Sequence, residues 1–297
     1  MRFERQNFAG VWVPIVTPFR DDEPDLDTLV RLVDWLLARG VHGLVVLGST
    51  GEGPHLSEAE AADVVRCVVD STQRRVPVMA GTGRESCSET LRVTQSYASL
   101  GADAALVLTP FYYRTQREAV TLKSYYALVA ASSALPVFVY HVPPVTGIDL
   151  DPALLVEILA HPNIWGFKDS SSSGGPLAGT LRRCSAQGFV GSGARLVEAL
   201  EAGACGGILA VAHVLPELCV QILDAFHSGR RAEAATLQRH AKALTEAFQS
   251  RTIAGVKCGL GLRGFPAGRP RAPLEPAPPE VEDRIASVLQ EALQGTS

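Results

Sequence analysis

The feature that most constrains this chain is a repeated alternation. A short apolar run gives way to a turn rich in glycine or hydroxyl groups, then to an amphipathic stretch, then to the next apolar run. Runs of strand length stand at residues 11–16, 43–47, 76–80, 104–108, 136–140, 164–168, 188–191 and 206–211. They are continuously apolar rather than alternating, as strands buried on both faces are. Between them, residues 25–38 carry Leu26, Leu29, Val30, Val33, Leu36 and Leu37 at helical spacing. Ser57 and Glu60 have the capping-box spacing that opens a helix. Further helices are expected at 88–100, 118–132, 151–160 and 194–202. Gly40, Gly101 and Gly203 each follow a helix, where a left-handed residue is favoured.

Strands connected in this way are parallel, and eight β–α units with right-handed crossovers close into a barrel. The predicted fold is therefore α/β: a TIM (β/α)8 barrel over residues 1–225, with residues 226–297 as a C-terminal helical extension of the same domain. Helices are expected at 216–227, 231–250 and 281–293, and the proline-rich segment 264–280 reads as a surface excursion. An open doubly wound sheet would use the same grammar, but no G-x-G-x-x-G opens the helix after the first run.

Composition narrows the function. A formal charge of -4 and a pI near 6.0 argue against a nucleic-acid binder. The apolar runs fall far short of the ~20 residues of a membrane span. No apolar signal segment opens the sequence, so a cytoplasmic protein is expected. The 6 cysteines include no C-x-x-C pair and read as small apolar filler. The 7 histidines lack H-x-x-x-H spacing, so no metal site is expected.

In a barrel of this type the chemistry sits at the C-terminal ends of the strands. There the chain offers Thr17, Gly48-Ser49-Thr50-Gly51-Glu52, Gly81-Thr82-Gly83, Thr109-Pro110-Phe111-Tyr112-Tyr113, Tyr140, Lys168, Gly191-Ser192-Gly193 and Gly206-Gly207-Ile208. The glycines are expected to leave room for a small ligand. Lys168 is the informative residue, because of Lys123, Lys168, Lys242 and Lys257 it alone ends an apolar strand. Burial favours the neutral amine, the form that attacks a ketone to give an imine. Taken alone, Lys168 fits a buried ion pair with the adjacent Asp169 somewhat better. Its place on the rim, among phenols and hydroxyls, tips the reading toward chemistry.

Tyr140 ends the neighbouring strand and could shuttle the proton that imine formation requires; alone it reads as readily as a core tyrosine. Ser49, Thr50 and Tyr112 could extend a hydroxyl relay, although Gly48–Glu52 alone reads as a tight turn into a helix. Glu52 reads as a structural tie for that turn. The glycines near 191–193 and 206–207 raise a rival, a phosphate-binding corner of an enzyme acting on a phosphorylated substrate.

These residues together resemble the dihydrodipicolinate synthase/N-acetylneuraminate lyase family of class I aldolases. The resemblance spans essentially the whole chain and rests on Gly48–Glu52, Thr109–Tyr113, the segment Tyr140-His141-Val142-Pro143 with Thr146-Gly147, and Gly166-Phe167-Lys168-Asp169. It implies that Lys168 forms the Schiff base with pyruvate or a related 2-oxo acid and that Tyr140 is the general acid/base. It implies that Ser49 and Thr50 hold the carboxylate and relay protons, with Tyr112 as the third relay member. Gly191 and Ile208 would line the pyruvate pocket. No cofactor is implied beyond the covalent imine, and the expected assembly is a homo-oligomer, dimer or tetramer, with Phe111 reaching toward a neighbouring subunit.

One departure bears on the substrate. Family synthases usually carry an arginine, which holds the aldehyde substrate's carboxylate, where this chain has Val145, and an asparagine where it has His141. The strings around Phe111–Arg114, Thr146–Leu150, His161–Ile164 and Arg271–Leu274 look more like the 4-hydroxy-2-oxoglutarate aldolase branch. The expected reaction is reversible cleavage of a 4-hydroxy-2-oxo acid to pyruvate and an aldehyde. The alternatives are condensation of pyruvate with aspartate semialdehyde, or a silent barrel that senses a 2-oxo acid.

Overall fold

The computed structural model describes residues 3–116, 118–248 and 251–295. Its centre is a closed barrel of eight parallel strands: β1 (Gly10–Val13), β2 (Gly43–Val46), β3 (Val78–Gly81), β4 (Ala104–Leu108), β5 (Val137–His141), β6 (Ile164–Asp169), β7 (Gln187–Val190) and β8 (Gly206–Ile208). Each strand pairs with its sequence neighbours, and β1 closes the ring through Trp12, which pairs with Ile208 on one side and Gly43 on the other.

Eight helices cover the barrel: α1 (Leu26–Leu37), α2 (Glu58–Thr72), α3 (Cys87–Ser99), α4 (Ala119–Ser132), α5 (Pro152–Leu159), α6 (Gly175–Leu181), α7 (Leu196–Glu201) and α8 (Pro216–His227). The C-terminal extension adds α9 (Arg231–Ala247), α10 (Thr252–Leu262) and α11 (Pro279–Gly295). Local chemistry sets the ends. Asp25 caps α1 by accepting from Thr28 N–H, and Ser57 and Glu60 exchange both capping-box hydrogen bonds at α2. The apolar stripe of α1 buries Leu29, Leu32, Val33 and Leu36 completely. Each such side chain contributes roughly 1.5–3 kcal/mol of burial free energy.

Inside the barrel, alternation along each strand sends one side-chain set to the axis. The floor is aromatic. Phe8, just before β1, stacks on Trp12 (centroids 5.4 Å apart) and Phe138 (5.3 Å), and Phe189 meets Trp12 at 5.8 Å. Gly166 makes room for this floor, since a Cβ there would lie 2.8 Å from the Phe138 ring and 2.1 Å from the Gln187 carbonyl oxygen. Above the floor, two residues further along β5 and β6, the inward positions are Tyr140 and Lys168.

Several expected boundaries shift. β1 stops at Val13 and β8 at Ile208, where a 3-10 turn, Ala210–His213, replaces the expected extension of the strand. β3 begins two residues late, because Pro77 has no N–H to give the ladder. A small hairpin, Phe19–Arg20 with Glu23–Pro24, precedes α1. α9 ends at Ala247; the expected helix ran to 250, and residues 249 and 250 lie outside the described residues. α6 and α10 were not expected at all.

Candidate active site

β5 and β6 pair in register, with Tyr140 opposite Lys168 and His141 opposite Asp169. Because successive residues face opposite sides of a strand, Lys168 and Asp169 cannot share a surface. Asp169 points away from the axis, and its carboxylate is filled by others. His141 Nδ1 lies 3.0 Å from Oδ1, Ser171 N–H donates to Oδ1 at 2.9 Å, and Leu177 N–H donates to Oδ2 at 3.0 Å. Burial alone would push this carboxyl up; the bonds from His141 and Ser171 hold it below its ordinary value. The alternative ion pair between Lys168 and Asp169 is therefore not formed. His141, which also accepts Leu150 N–H at 3.0 Å through Nε2, clamps β5 to β6 just behind the pair.

Lys168 is 5% exposed, and its Nζ sits 4.4 Å from the centroid of the Tyr140 ring. Burial would raise the Tyr140 phenol. The positive charge of Lys168 and hydrogen bonds with Ser49, Ser170 and Lys168 outweigh it and bring the phenol below its usual value of 10.0. A phenol so tuned, touching an amine and two hydroxyls, can both give and take a proton beside that amine.

Ser49 reaches Tyr140 from the turn after β2. That turn is tight: Gly51 N–H and Gly53 N–H both donate to Gly48 O, at 3.0 and 3.4 Å. Thr50 shares it, half-buried. Ser170, at the end of β6, was missing from the sequence reading. The run Ser170-Ser171-Ser172-Ser173 directly after the lysine strand was the available signal.

Tyr112 is not brought to this cluster within the chain. It is 74% exposed and meets Tyr113 edge-on, at 5.0 Å. Its loop is fixed instead by Glu85, whose carboxylate accepts Phe111 N–H at 3.0 Å and Tyr112 N–H at 2.9 Å. Ile208 is buried at the barrel interior beside Trp12.

The rim glycines mostly serve the protein's own packing rather than a ligand. A Cβ on Gly81 would fall 2.2 Å from Leu47 O, and one on Gly83 would fall 2.4 Å from Leu108 N. On Gly191 it would meet Ser170 Oγ at 2.0 Å, so this glycine makes space for the serine that serves Tyr140. At the corner considered for phosphate, Gly193 packs on Val211, Gly206 on the Gly10 backbone and Gly207 on Leu209. Packing accounts for these glycines, so they give no independent sign of a phosphate cradle.

A cavity of about 410 Å³ opens on this rim, within the size range of small-molecule sites. Its lining includes Gly48, Ser49, Thr109 and Tyr140 from the rim, Arg84 and Glu85 from the segment after β3, and Ala61 of α2 with Glu89 and Val93 of α3 from the covering helices. Tyr140, not Lys168, is the member of the pair on its wall.

Comparison with known proteins shows the family. A model of the dihydrodipicolinate synthetase family matches residues 7–292. The chain belongs to this family. It is 37% identical over 270 residues to 4-hydroxy-tetrahydrodipicolinate synthase 1 of Streptomyces coelicolor, covering 89% of this chain and 87% of that protein. It is 38% identical over 268 residues to an uncharacterized DapA-like lyase of Halobacterium salinarum, covering 89% and 88%. Among solved structures, the dihydrodipicolinate synthase of Thermotoga maritima superposes with a TM-score of 0.91 at 30% identity, covering 96% of this chain and 98% of that one. YagE of Escherichia coli K12, a prophage protein of the same family solved in complex with pyruvate, superposes with a TM-score of 0.90 at 30% identity, covering 96% and 99%. The chain is thus a carbon–carbon lyase of the class I aldolase type with the barrel fold of its family. Among the described residues, no helix is long and apolar enough to cross a membrane.

Proposed function

We propose that the protein cleaves a 4-hydroxy-2-oxo acid, such as a 4-hydroxy-2-oxoglutarate-like acid or a 3-deoxy-2-oxo sugar acid, to pyruvate and an aldehyde. The observation that carries this is the Tyr140–Lys168 pair, a buried amine with no carboxylate partner among the described residues, held against a phenol of lowered proton affinity. The Lys168 amine adds to the C2 carbonyl. Tyr140 delivers a proton to the carbinolamine oxygen, and water leaves as the iminium forms. Removal of the C4 hydroxyl proton breaks the C3–C4 bond, releasing the aldehyde, and the bond's electrons flow into the iminium to give an enamine. Protonation at C3 and hydrolysis of the imine release pyruvate and restore Lys168. Ser49 and Ser170, both bonded to the Tyr140 hydroxyl, carry protons to and from it. The covalent imine needs no metal or organic cofactor. Ser49 and Thr50 are the proposed carboxylate holders, and Gly191 and Ile208 are proposed to line the pyruvate pocket.

Val145 directs the choice of cleavage over synthesis. It is exposed and apolar where a family synthase holds its second carboxylate with an arginine. A specific observation keeps the synthase reaction as a second reading. A Cβ on Gly147 would lie 3.0 Å from Arg114 Nη1, so this guanidinium stands beside the same 143–147 turn and could take that carboxylate. A panel of 4-hydroxy-2-oxo acids assayed for pyruvate release, beside a condensation assay with pyruvate and aspartate semialdehyde, separates the two. Cleavage without condensation is expected; condensation at the faster rate would reverse the assignment.

Two copies or more are proposed to assemble. Phe111, Tyr112 and Tyr113 form an exposed aromatic group on one loop, a kind of surface that a partner subunit covers. Only such an assembly would bring Tyr112 into a proton relay.

A further inference from the structure

The turn that presents Ser49 is strained at both ends. Leu47 and Glu52 are not glycines, yet they adopt φ of 56° and 55°. Side chains rarely hold that left-handed conformation unless the surroundings impose it. At the Leu47 end, backbone packing does so: Gly53 and Gly81 lie so close to Leu47 O that a Cβ on either would sit within 2.5 Å of it. In the middle, Thr17 Oγ1 donates to Gly51 O at 2.7 Å. At the other end, the Glu52 side chain is 0% exposed; His55 Nδ1 stands 3.7 Å from Oε2, and the two closer partners come from the C-terminal extension. Lys257 Nζ of α10 stands 2.7 Å from Oε1, and Arg271 N–H donates to Oε2 at 2.8 Å.

Lys257 is itself built in. Its side chain is 2% exposed, its ammonium donates to Arg269 O at 3.0 Å, and it lies 4.3 Å over the Phe19 ring. The Arg271 guanidinium, on the same ring at 4.5 Å, reaches Glu60 Oε1 at 2.7 Å and His55 O at 2.9 Å, and bonds Asp22 O as well. The proline-rich segment is thus a strap across the barrel rim, anchored on the turns after β1 and β2.

We propose that Lys257, through its buried pair with Glu52, is a positioning residue for catalysis: it holds the 48–52 turn so that Ser49 meets Tyr140. The C-terminal extension is then a working part of the site. This rests on the imine reading above. Removing the pair frees the turn to relax toward ordinary backbone angles, and Ser49 moves off the phenol.

The test compares Glu52→Gln, which keeps side-chain size and an acceptor for Arg271 N–H, and Lys257→Met with a control, Arg263→Met. The control breaks an ion pair to Glu217 at the far end of the same helix. Proteins folded by circular dichroism are assayed for substrate cleavage and for trapping of pyruvate by borohydride. Both pair variants are expected to lose at least tenfold in kcat/KM, while the control stays within twofold even where its Tm drops as far. In a Ser49→Ala background, Glu52→Gln is expected to cost less than a further twofold, because the two act through one contact. Wild-type rates in the folded pair variants, equal losses in the control, or full additivity with Ser49→Ala would each overturn the proposal. Failure of the wild type to trap pyruvate on Lys168 would sink the imine reading instead, which separates the two.

Discussion

Tyr140 shows how one side chain is tuned by what stands around it. Burial works against its ionisation, and Lys168 with the hydroxyls of Ser49 and Ser170 works for it; the second group wins. The phenol is therefore a better proton carrier near neutral pH than a free tyrosine. Tyr140→Phe keeps the ring beneath the Lys168 ammonium and deletes only the hydroxyl, so the fold should survive. Its kcat should fall by roughly 10²–10⁴, the usual worth of a positioned acid/base. In the wild type, the loss of activity at alkaline pH that follows the phenol's ionisation should set in below pH 10, and that limb should vanish from the residual activity of the variant. A variant retaining a tenth or more of wild-type kcat would assign the proton transfer elsewhere.

At the level of elements, the loop after β8 carries a pH-dependent tie. Val16 N–H donates to His213 Nε2 at 3.0 Å, and Nδ1–H donates to Ala210 O at 2.8 Å, so the ring is held neutral. Complete burial pulls its pKa down from 6.5 to about 4. Below pH 6.5 the unfolded chain takes up a proton that the folded one refuses. Stability is full above that pH and falls as the pH drops from 6.5 to about 4, by about 3 kcal/mol from this group alone. Denaturant midpoints measured across that window should fall in the wild type, and less steeply in His213→Asn. Parallel slopes would show that the histidine is not the cause.

The same level shows what sequence could reveal. Elements with a clear apolar period and a side-chain cap, such as α1 and α2, were legible, and so were the strands that end in Tyr140 and Lys168. α6 was hidden by Gly174-Gly175-Pro176, and α10 by Gly255, Gly259 and Gly261, which read as loop. In α10, two of these glycines are there for contact: a Cβ on Gly255 would meet Phe248 at 2.9 Å, and one on Gly259 would meet Val214 at 2.7 Å. That tertiary reason is invisible along the chain, and with it went Lys257, the partner of Glu52. Cys219 fits the filler reading well, fully buried on α8 with burial pushing its thiol up to about 12.

At the level of the whole molecule, the barrel is closed at one end by aromatic rings and worked at the other. Phe8 packs against Trp12, Phe138 and Trp165 and is fully buried. Phe8→Ala should cost about 3–5 kcal/mol in denaturant unfolding, as a cavity under the floor. A cost below about 1 kcal/mol would mean that the floor collapses freely and does not brace β5. At the other end, strand register sets Lys168 against Tyr140 for imine formation. Incubation with pyruvate and borohydride, followed by peptide mass mapping, tests it most directly. One reduced pyruvate adduct per chain is expected, located on the peptide containing Lys168 and abolished in Lys168→Ala. An unmodified Lys168 peptide, or an adduct that persists in that variant, would contradict it.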